Sequence, residues 1–226
     1  MKWKAFFLCA LVLGVLGVLG GLGGLRGRAR AAEAGKTEEA VEGARIPSNP
    51  ATWRVWLEPK FMHAPVSAAI PGAQQTEMVA GLHEDALFGD VTLSKARFES
   101  LKVGWAEFLQ RARVNADALK AGLKPRYVRD RKRVIEYAVL SSSQPVVATA
   151  VFGSRFLELF KETLGEKVLL VVPNRYTAFV FPVLASNYQE YAPMVLEAYK
   201  ATAFPVSLEV FELSAEGWKT VGVYEP

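Results

Sequence analysis

The two histidines come first, because an imidazole can move a proton or bind a metal near neutral pH. His83 is followed directly by two carboxylates, Glu84 and Asp85, whereas His63 lies in a proline-flanked loop. A hydrolase or a metal-dependent enzyme could use the segment from His83 to Asp85 as base, acid or ligands. The spacing matches no metal-ligand motif, and an exposed turn is the alternative interpretation. We therefore predict no metal and no other cofactor.

A serine nucleophile is the second chemical possibility. Ser154 stands at a predicted turn from strand to helix, loosely like the nucleophile elbow of hydrolases, and residues 141–143 are a run of three serines. The G-x-S-x-G frame is missing, since Gly153 directly precedes Ser154 and Arg155 follows it. Serine is also among the preferred N-cap residues, so we expect Ser154 to cap the helix that follows.

One dense basic cluster and one polar turn are candidate binding surfaces. A solvated loop before a strand is the interpretation that we favour for the cluster, and contact with phosphate, nucleic acid, anionic lipid or an anionic polymer is the alternative. In the turn, Pro and Asn account for the backbone geometry, which leaves two side chains for recognition. The binding residues expected from these segments are Arg129, Arg131 and Lys132 in the cluster, with Arg126 and Arg133 beside them, and Arg175 and Tyr176 in the turn.

The first 31 residues have the pattern of a secretory leader. Two lysines flank the start, an apolar run covers residues 5–25, and Ala29 and Ala31 occupy the −3 and −1 positions of a cleavage site. The run is also about as long as a membrane span. We expect a signal peptide over residues 1–31 and a periplasmic or secreted protein. An inner-membrane anchor over residues 5–25 is the alternative.

The leader accounts for the net charge and for the cysteine. The chain carries 27 Lys and Arg against 23 Asp and Glu, but five of the basic residues precede the first acidic one, Glu33. The remainder is close to neutral, which disfavours nucleic acid as a partner. Cys9 is the single cysteine and lies in the apolar run. The exported body therefore has no thiol for a disulfide, a metal or a nucleophile.

Composition divides the rest of the chain into a linker and a body. Residues 32–52 are rich in Ala, Glu and Gly and predict a disordered linker. Residues 53–226 are enough for one domain with a sizeable core, or for two lobes over residues 53–125 and 126–226.

Periodicity predicts an α+β domain. In the first half, strands are expected over residues 52–58, half-buried, and 76–82, followed by a helix over residues 94–122 that Ser94 caps. The second half predicts the order strand, strand, helix, strand, strand, helix, strand, strand, joined by short turns. The sheet should be largely antiparallel with helices packed on one face. The expected strands are 133–140, 145–152, 168–172, 177–183, 206–213 and 219–224; the helices are 155–164 and 187–201, with a kink at Pro193.

Several of these segments together resemble a known bacterial family. The helix opening Ser154 to Leu157, the turn Pro173 to Arg175 after a strand, and the segment Phe204 to Ser207 are similar to the YtpQ-like family, which is itself uncharacterised. The resemblance covers residues 88–225 and implies a shared fold. It implies no activity, cofactor or catalytic residue.

These patterns favour an exported, non-catalytic domain that binds a protein or another component of the cell envelope. A hydrolase or metal-dependent enzyme built on His83, Glu84 and Asp85 is one alternative, and a membrane-tethered structural protein is another. Nucleic acid is not an expected partner. A membrane is expected only through the N-terminal segment, if that segment is retained.

Overall fold

Two antiparallel sheets form the framework of the computed structural model, which describes residues 49–85, 89–185 and 188–225. These residues belong to one compact unit that begins at Ile46. The predicted leader, and the predicted linker as far as residue 48, lie outside the described residues. Within the described ranges, no helix is both long and apolar enough to cross a membrane.

The first sheet has four strands, and its third strand pairs with each of the others. The prediction that the first strand is half-buried is wrong, because that strand is covered on both sides. On one side, the ring of Trp53 stacks on Phe108 at 4.9 Å, and on the other, Trp56 is also buried. The strands are β1 Trp53–Pro59, β2 Ser67–Ala69, β3 Thr76–Asp85 and β4 Gly89–Thr92.

Two helices follow the first sheet where one was predicted. Ser94 caps α1, Lys95–Ser100, by accepting the N–H of Arg97 at 3.2 Å, as expected. The chain then leaves the helical path, since Lys102 has a φ of 56°, and a second helix, α2, covers Trp105–Lys120. The prediction of one helix over residues 94–122 is therefore wrong in its continuity.

The second sheet has six strands in the spatial order β10-β9-β7-β8-β6-β5, all paired antiparallel. The predicted order of strands and helices is found, but a strand at residues 126–129 that was not predicted completes it, and the strand expected over residues 145–152 is wrong. That segment contains α3, Val147–Ala150, and it is buried on every side, so its apolar run has no period to distinguish helix from strand. The strands are β5 Arg126–Arg129, β6 Ile135–Ser141, β7 Val168–Asn174, β8 Thr177–Pro182, β9 Glu209–Ser214 and β10 Gly217–Val223.

The two longer helices predicted in the second half are each divided. Residues 155–164 form a 3₁₀ helix, Phe156–Leu159, and then α4, Lys161–Leu164, which ends at Gly165 with a φ of 101°. The later segment forms a 3₁₀ helix, Tyr188–Tyr191, and then α5, Ala192–Lys200. Pro193 lies in the first turn of α5, where it needs no hydrogen bond, so the predicted kink is wrong.

Alternate residues of the second sheet pack into two hydrophobic cores. Leu170 and Val180 lie in the core that contains α3 and the first sheet, whereas Leu169 and Phe179 lie in the core that contains Val195 of α5. The α+β class with antiparallel sheets is confirmed. The helices lie on both faces of the larger sheet, because both of its faces are apolar and need cover.

Polar contacts join the first sheet to β9. Oε1 of Glu209 accepts the backbone N–H groups of Gln74 and Gln75 at 2.6 and 3.1 Å. The hydroxyls of Thr76 and Ser207 lie 2.6 Å apart and are both buried. These contacts connect the loop before β3 to the second sheet and hold the two in a fixed position.

Candidate ligand-binding cleft

One face of the first sheet forms the floor of a cleft. Because side chains alternate along a strand, Arg54 and Trp56 of β1 point to the same side. On β3, Gly81 lies directly opposite Arg54, and His83 lies opposite Asp90 of β4. The strand register therefore brings a guanidinium, an indole, an imidazole and a carboxylate onto one surface.

The other wall comes from the residues around the start of α3, from the turn between β7 and β8, and from Phe204. The cleft between these walls has a volume of about 730 Å³, in the range of small-molecule sites. Arg175 and Thr149 line it, together with Leu119 at the end of α2. Residues far apart in the chain meet here because α3 packs against β1 and also against β7 and β8.

Arg175 is the central residue of a buried network. Its guanidinium forms an ion pair with Glu58, whose side chain is only 8% exposed, and Glu58 also accepts the indole N–H of Trp56 at 2.7 Å. The guanidinium carbon of Arg175 lies 6.0 Å from the ring centre of Trp56 and 5.4 Å from that of Phe204. The ion pair and the two rings hold Arg175 in place at the cleft wall.

The positive charge of Arg54 is less well balanced by neighbouring carboxylates than that of Arg175. Its Nη1 donates to the carbonyl oxygens of Ala51 and Trp53, both at 3.0 Å, while its buried Nε has no partner among the described residues. Burial lowers the pKa of Arg54, and the nearby carboxylate of Asp90 offsets only part of that effect. The guanidinium of Arg54 stays charged, and the carboxylate of Asp90 balances that charge only in part.

His83 and Asp90 form a pair at the edge of the cleft. Nδ1 of His83 lies 2.9 Å from Oδ1 of Asp90, and the hydroxyl of the buried Thr149 lies 3.5 Å from the other carboxylate oxygen. When Nδ1 carries the proton and donates it to Asp90, Nε2 keeps its lone pair. The pair could therefore position a base, although the His83 side chain is 45% exposed.

The other catalytic candidates lie apart from this cleft. Glu84 forms an ion pair with Arg97 at 3.0 Å and does not line the cleft. Asp85 is the last residue of β3, and its side chain lies outside the described part of the chain. Ser154 donates its hydroxyl to Asp117, so its expected role as an N-cap is wrong: the 3₁₀ helix is preceded by Arg155 and has no side-chain cap.

The binding candidates divide between two places. Arg175 lines the cleft, whereas Tyr176 beside it contacts Phe204, with ring centres 6.3 Å apart. Arg129, Arg131 and Lys132 lie at the turn between β5 and β6.

Sequence reasoning missed Arg54, Trp56, Asp90 and Phe204. The alternation of β1 was a usable signal for the first two, because it placed Arg54 and Trp56 together on one face. No local signal marked Asp90 or Phe204, since their contacts depend on the pairing of β3 with β4 and of the segment before β9 with the end of β7. In the described residues, no group of three or more His, Cys, Asp or Glu side chains is arranged to hold a metal ion.

No family model, no curated protein and no solved structure matches this chain. The resemblance to the YtpQ-like family therefore stays a prediction. The site has to be interpreted from its own chemistry.

Proposed function

We propose that this protein is an exported, non-catalytic binding domain whose ligand is a small organic acid held in the cleft. The observation that carries the proposal is the position of Arg54, a partly buried cation that lines the cleft beside one carboxylate, Asp90, which also contacts His83. A carboxylate or phosphate group on a ligand would supply the missing counterion and accept the remaining N–H groups of the guanidinium. Export follows from the predicted leader and is part of the same proposal.

The apolar part of the ligand is expected to be flat. Phe204 is 48% exposed and presents aromatic surface at the cleft, and the volume of about 730 Å³ admits a ring with substituents. A planar acid would place its ring against Phe204 while its acidic group reaches Arg54. Glu58 and Asp90 are already engaged by Arg175 and His83, so they would not repel the ligand as bare carboxylates would.

The test compares benzoate, phenyl phosphate, benzyl alcohol and benzylamine by isothermal titration. We expect the two acids to bind and the alcohol and amine to bind at least about tenfold more weakly, because a charge-assisted hydrogen bond contributes about 1.5 kcal/mol or more. Arg54→Gln should weaken the acids by about ten- to hundredfold. Arg111→Gln, an exposed change on α2, is the control and should leave binding unchanged. Equal binding of benzylamine, or no binding of any probe, would refute the proposal.

A hydrolase is the second candidate function, and the pair of His83 and Asp90 is the observation that favours it. In such a hydrolase, Asp90 takes the role that the sequence suggested for Glu84 and Asp85. A water molecule attacks the ester carbonyl while His83 accepts its proton, and the bond to the leaving alcohol then breaks as His83 returns the proton to that oxygen. Hydrolysis of p-nitrophenyl acetate tests it. We expect His83→Ala to lower the rate about hundredfold or more if the pair acts as a base. No turnover by the wild type, or full turnover by His83→Ala, excludes the pair as a catalytic base.

The membrane-tethered alternative depends on the leader alone. Intact-mass measurement of the exported protein decides it, because a mature chain that begins at Ala32 excludes an anchor over residues 5–25.

A further inference from the structure

The turn between β5 and β6 carries the densest positive charge in the described part of the chain. Arg129, Arg131, Lys132 and Arg133 follow one another around it, and Arg126 lies at the start of β5. All five are exposed. Because β5 is the edge strand of the second sheet, the turn stands at a border of the molecule, away from the cleft.

Nearby carboxylates offset only part of this charge, since one acid, Asp130, stands among five basic residues. Asp130, the one acid within the turn, accepts the backbone N–H of Val134 at 2.8 Å. The next acid along the chain, Glu136, accepts the hydroxyl of Tyr191; burial first, and then this carboxylate, raise the pKa of that tyrosine. No ion pair in the described part involves the five basic residues, whereas Arg97, Lys120, Arg155, Lys161, Arg175 and Lys219 all have acidic partners.

The turn is also held in one shape. The backbone N–H of Arg133 donates to the carbonyl of Asp130 at 3.0 Å, and that of Asp130 donates to the carbonyl of Val134 at 2.9 Å. A side-chain bond from Arg129 to the carbonyl of Arg133, at 2.9 Å, closes the base of the turn. Val134 is 60% exposed, so an apolar side chain stands directly beside the cations.

We propose that this turn is a docking surface for an anionic lipid bilayer. Cations near such a surface are attracted to its negative potential, and an apolar side chain among them can enter the interface. A bilayer is favoured over nucleic acid because the turn has no exposed aromatic residue to stack on bases, and because the chain after the leader is close to neutral. The proposal is independent of the ligand in the cleft.

Vesicle flotation of the fragment from Ile46 to Pro226 tests the proposal. This fragment contains every described element and both hydrophobic cores, so it is expected to fold without the leader. We expect it to bind phosphatidylcholine vesicles that contain phosphatidylglycerol, and not vesicles of phosphatidylcholine alone. Binding should disappear in about 1 M salt, where screening is complete within a few ångströms.

Two triple variants of equal net charge identify the surface. The turn variant is Arg126→Gln, Arg131→Gln, Lys132→Gln, whose side chains form no described bond, so folding should be preserved. Because each cation near an anionic bilayer contributes about fivefold, we expect partitioning to fall on the order of a hundredfold. The control variant is Lys95→Gln, Arg111→Gln, Lys200→Gln, three exposed changes elsewhere that should cost less than about fivefold.

Three results would overturn the proposal. These are equal binding to both vesicle types, an equal loss in the two triple variants, and competition by a single-stranded oligonucleotide at concentrations where inorganic phosphate has no effect. The last result would identify a nucleic-acid surface instead. Thermal unfolding of both variants near the wild-type midpoint confirms that any loss reflects charge.

Discussion

Gly81, on the floor of the cleft, has no space for a larger side chain. A Cβ atom added there would lie 2.1 and 2.3 Å from the atoms Cη2 and Cζ3 of Trp56, and 2.5 Å from the backbone oxygen of Val91. The first two contacts require the indole ring to move. The third involves backbone within a strand pair and cannot be relieved by a rotamer change. Gly81→Ala must therefore displace Trp56, shift β4, or both.

The expected cost follows from the packing of Trp56. Its side chain is 2% exposed and donates its N–H to Glu58, so displacing it exposes apolar surface and breaks that bond. Overpacking of a core typically costs about 1–3 kcal/mol, and the backbone contact places Gly81→Ala toward the upper end. For a chain of this size, each kcal/mol lowers the midpoint by about 2–4 °C. Urea unfolding followed by tryptophan fluorescence and thermal unfolding both measure the loss.

Gly122→Ala is the matched control, because the nearest atom to its added Cβ is the backbone oxygen of Leu119 at an ordinary 3.7 Å. It should change stability by less than about 0.5 kcal/mol. We also expect Gly81→Ala to weaken binding of benzoate, since Trp56 lies on the cleft floor. The reasoning fails if Gly81→Ala is as stable as the control and binds benzoate like the wild type.

The ion pair of Glu58 and Arg175 and the buried Tyr224 give two further predictions. Arg175→Met leaves the Glu58 carboxylate buried without its cation and should cost about 2–3 kcal/mol in urea unfolding, below the full range for buried pairs because Arg175 is 25% exposed. The double variant with Glu58→Gln should be more stable than Arg175→Met alone, and a simple sum of two losses would contradict this coupling. Burial raises the pKa of Tyr224, so the folded state keeps a proton that the unfolded chain releases above about pH 10, and stability should fall as pH rises from there. Tyr224→Phe should make the fall of stability with pH less steep. At neutral pH it should lower the free energy of unfolding by about 1 kcal/mol, because the hydrogen bond to the carbonyl of Tyr188 is lost. An equally steep fall in the wild type and the variant would show that another group causes the decline.

Local sequence patterns predicted the elements that have one apolar and one polar face, and those that begin or end at a capping residue. Ser94 as an N-cap, a helix end at residue 164 and the short turn between β7 and β8 are confirmed. The segment around α3 was mistaken for a strand because it is apolar on all sides, and such a run has no period. The helix predicted over residues 94–122 is divided at Lys102, whose φ of 56° a right-handed helix does not contain.

The cleft could be predicted only in part, for a related reason. His83 and Arg175 were candidates because their residue types are chemically distinctive within their own segments. Asp90 becomes the partner of His83 through the register of β3 and β4 and through nothing in its neighbouring sequence. Phe204 reaches Arg175 because the segment before β9 pairs with the end of β7: Asn174 bridges Pro205, and the backbone N–H of Arg175 donates to the carbonyl of Phe204 at 3.3 Å.

Strand register links the stability of the fold to the chemistry of the cleft. On β1, Trp53, Val55 and Leu57 face one side, while Arg54 and Trp56 face the cleft, so a slip of one residue would turn a guanidinium into the core. Changes that disturb this register, such as Gly81→Ala, should therefore reduce stability and ligand binding together. Arg54→Gln keeps the register and removes only the charge that the cleft compensates poorly, so binding should fall much more than stability. Comparing these two variants separates the charge that recognises a ligand from the packing that positions it.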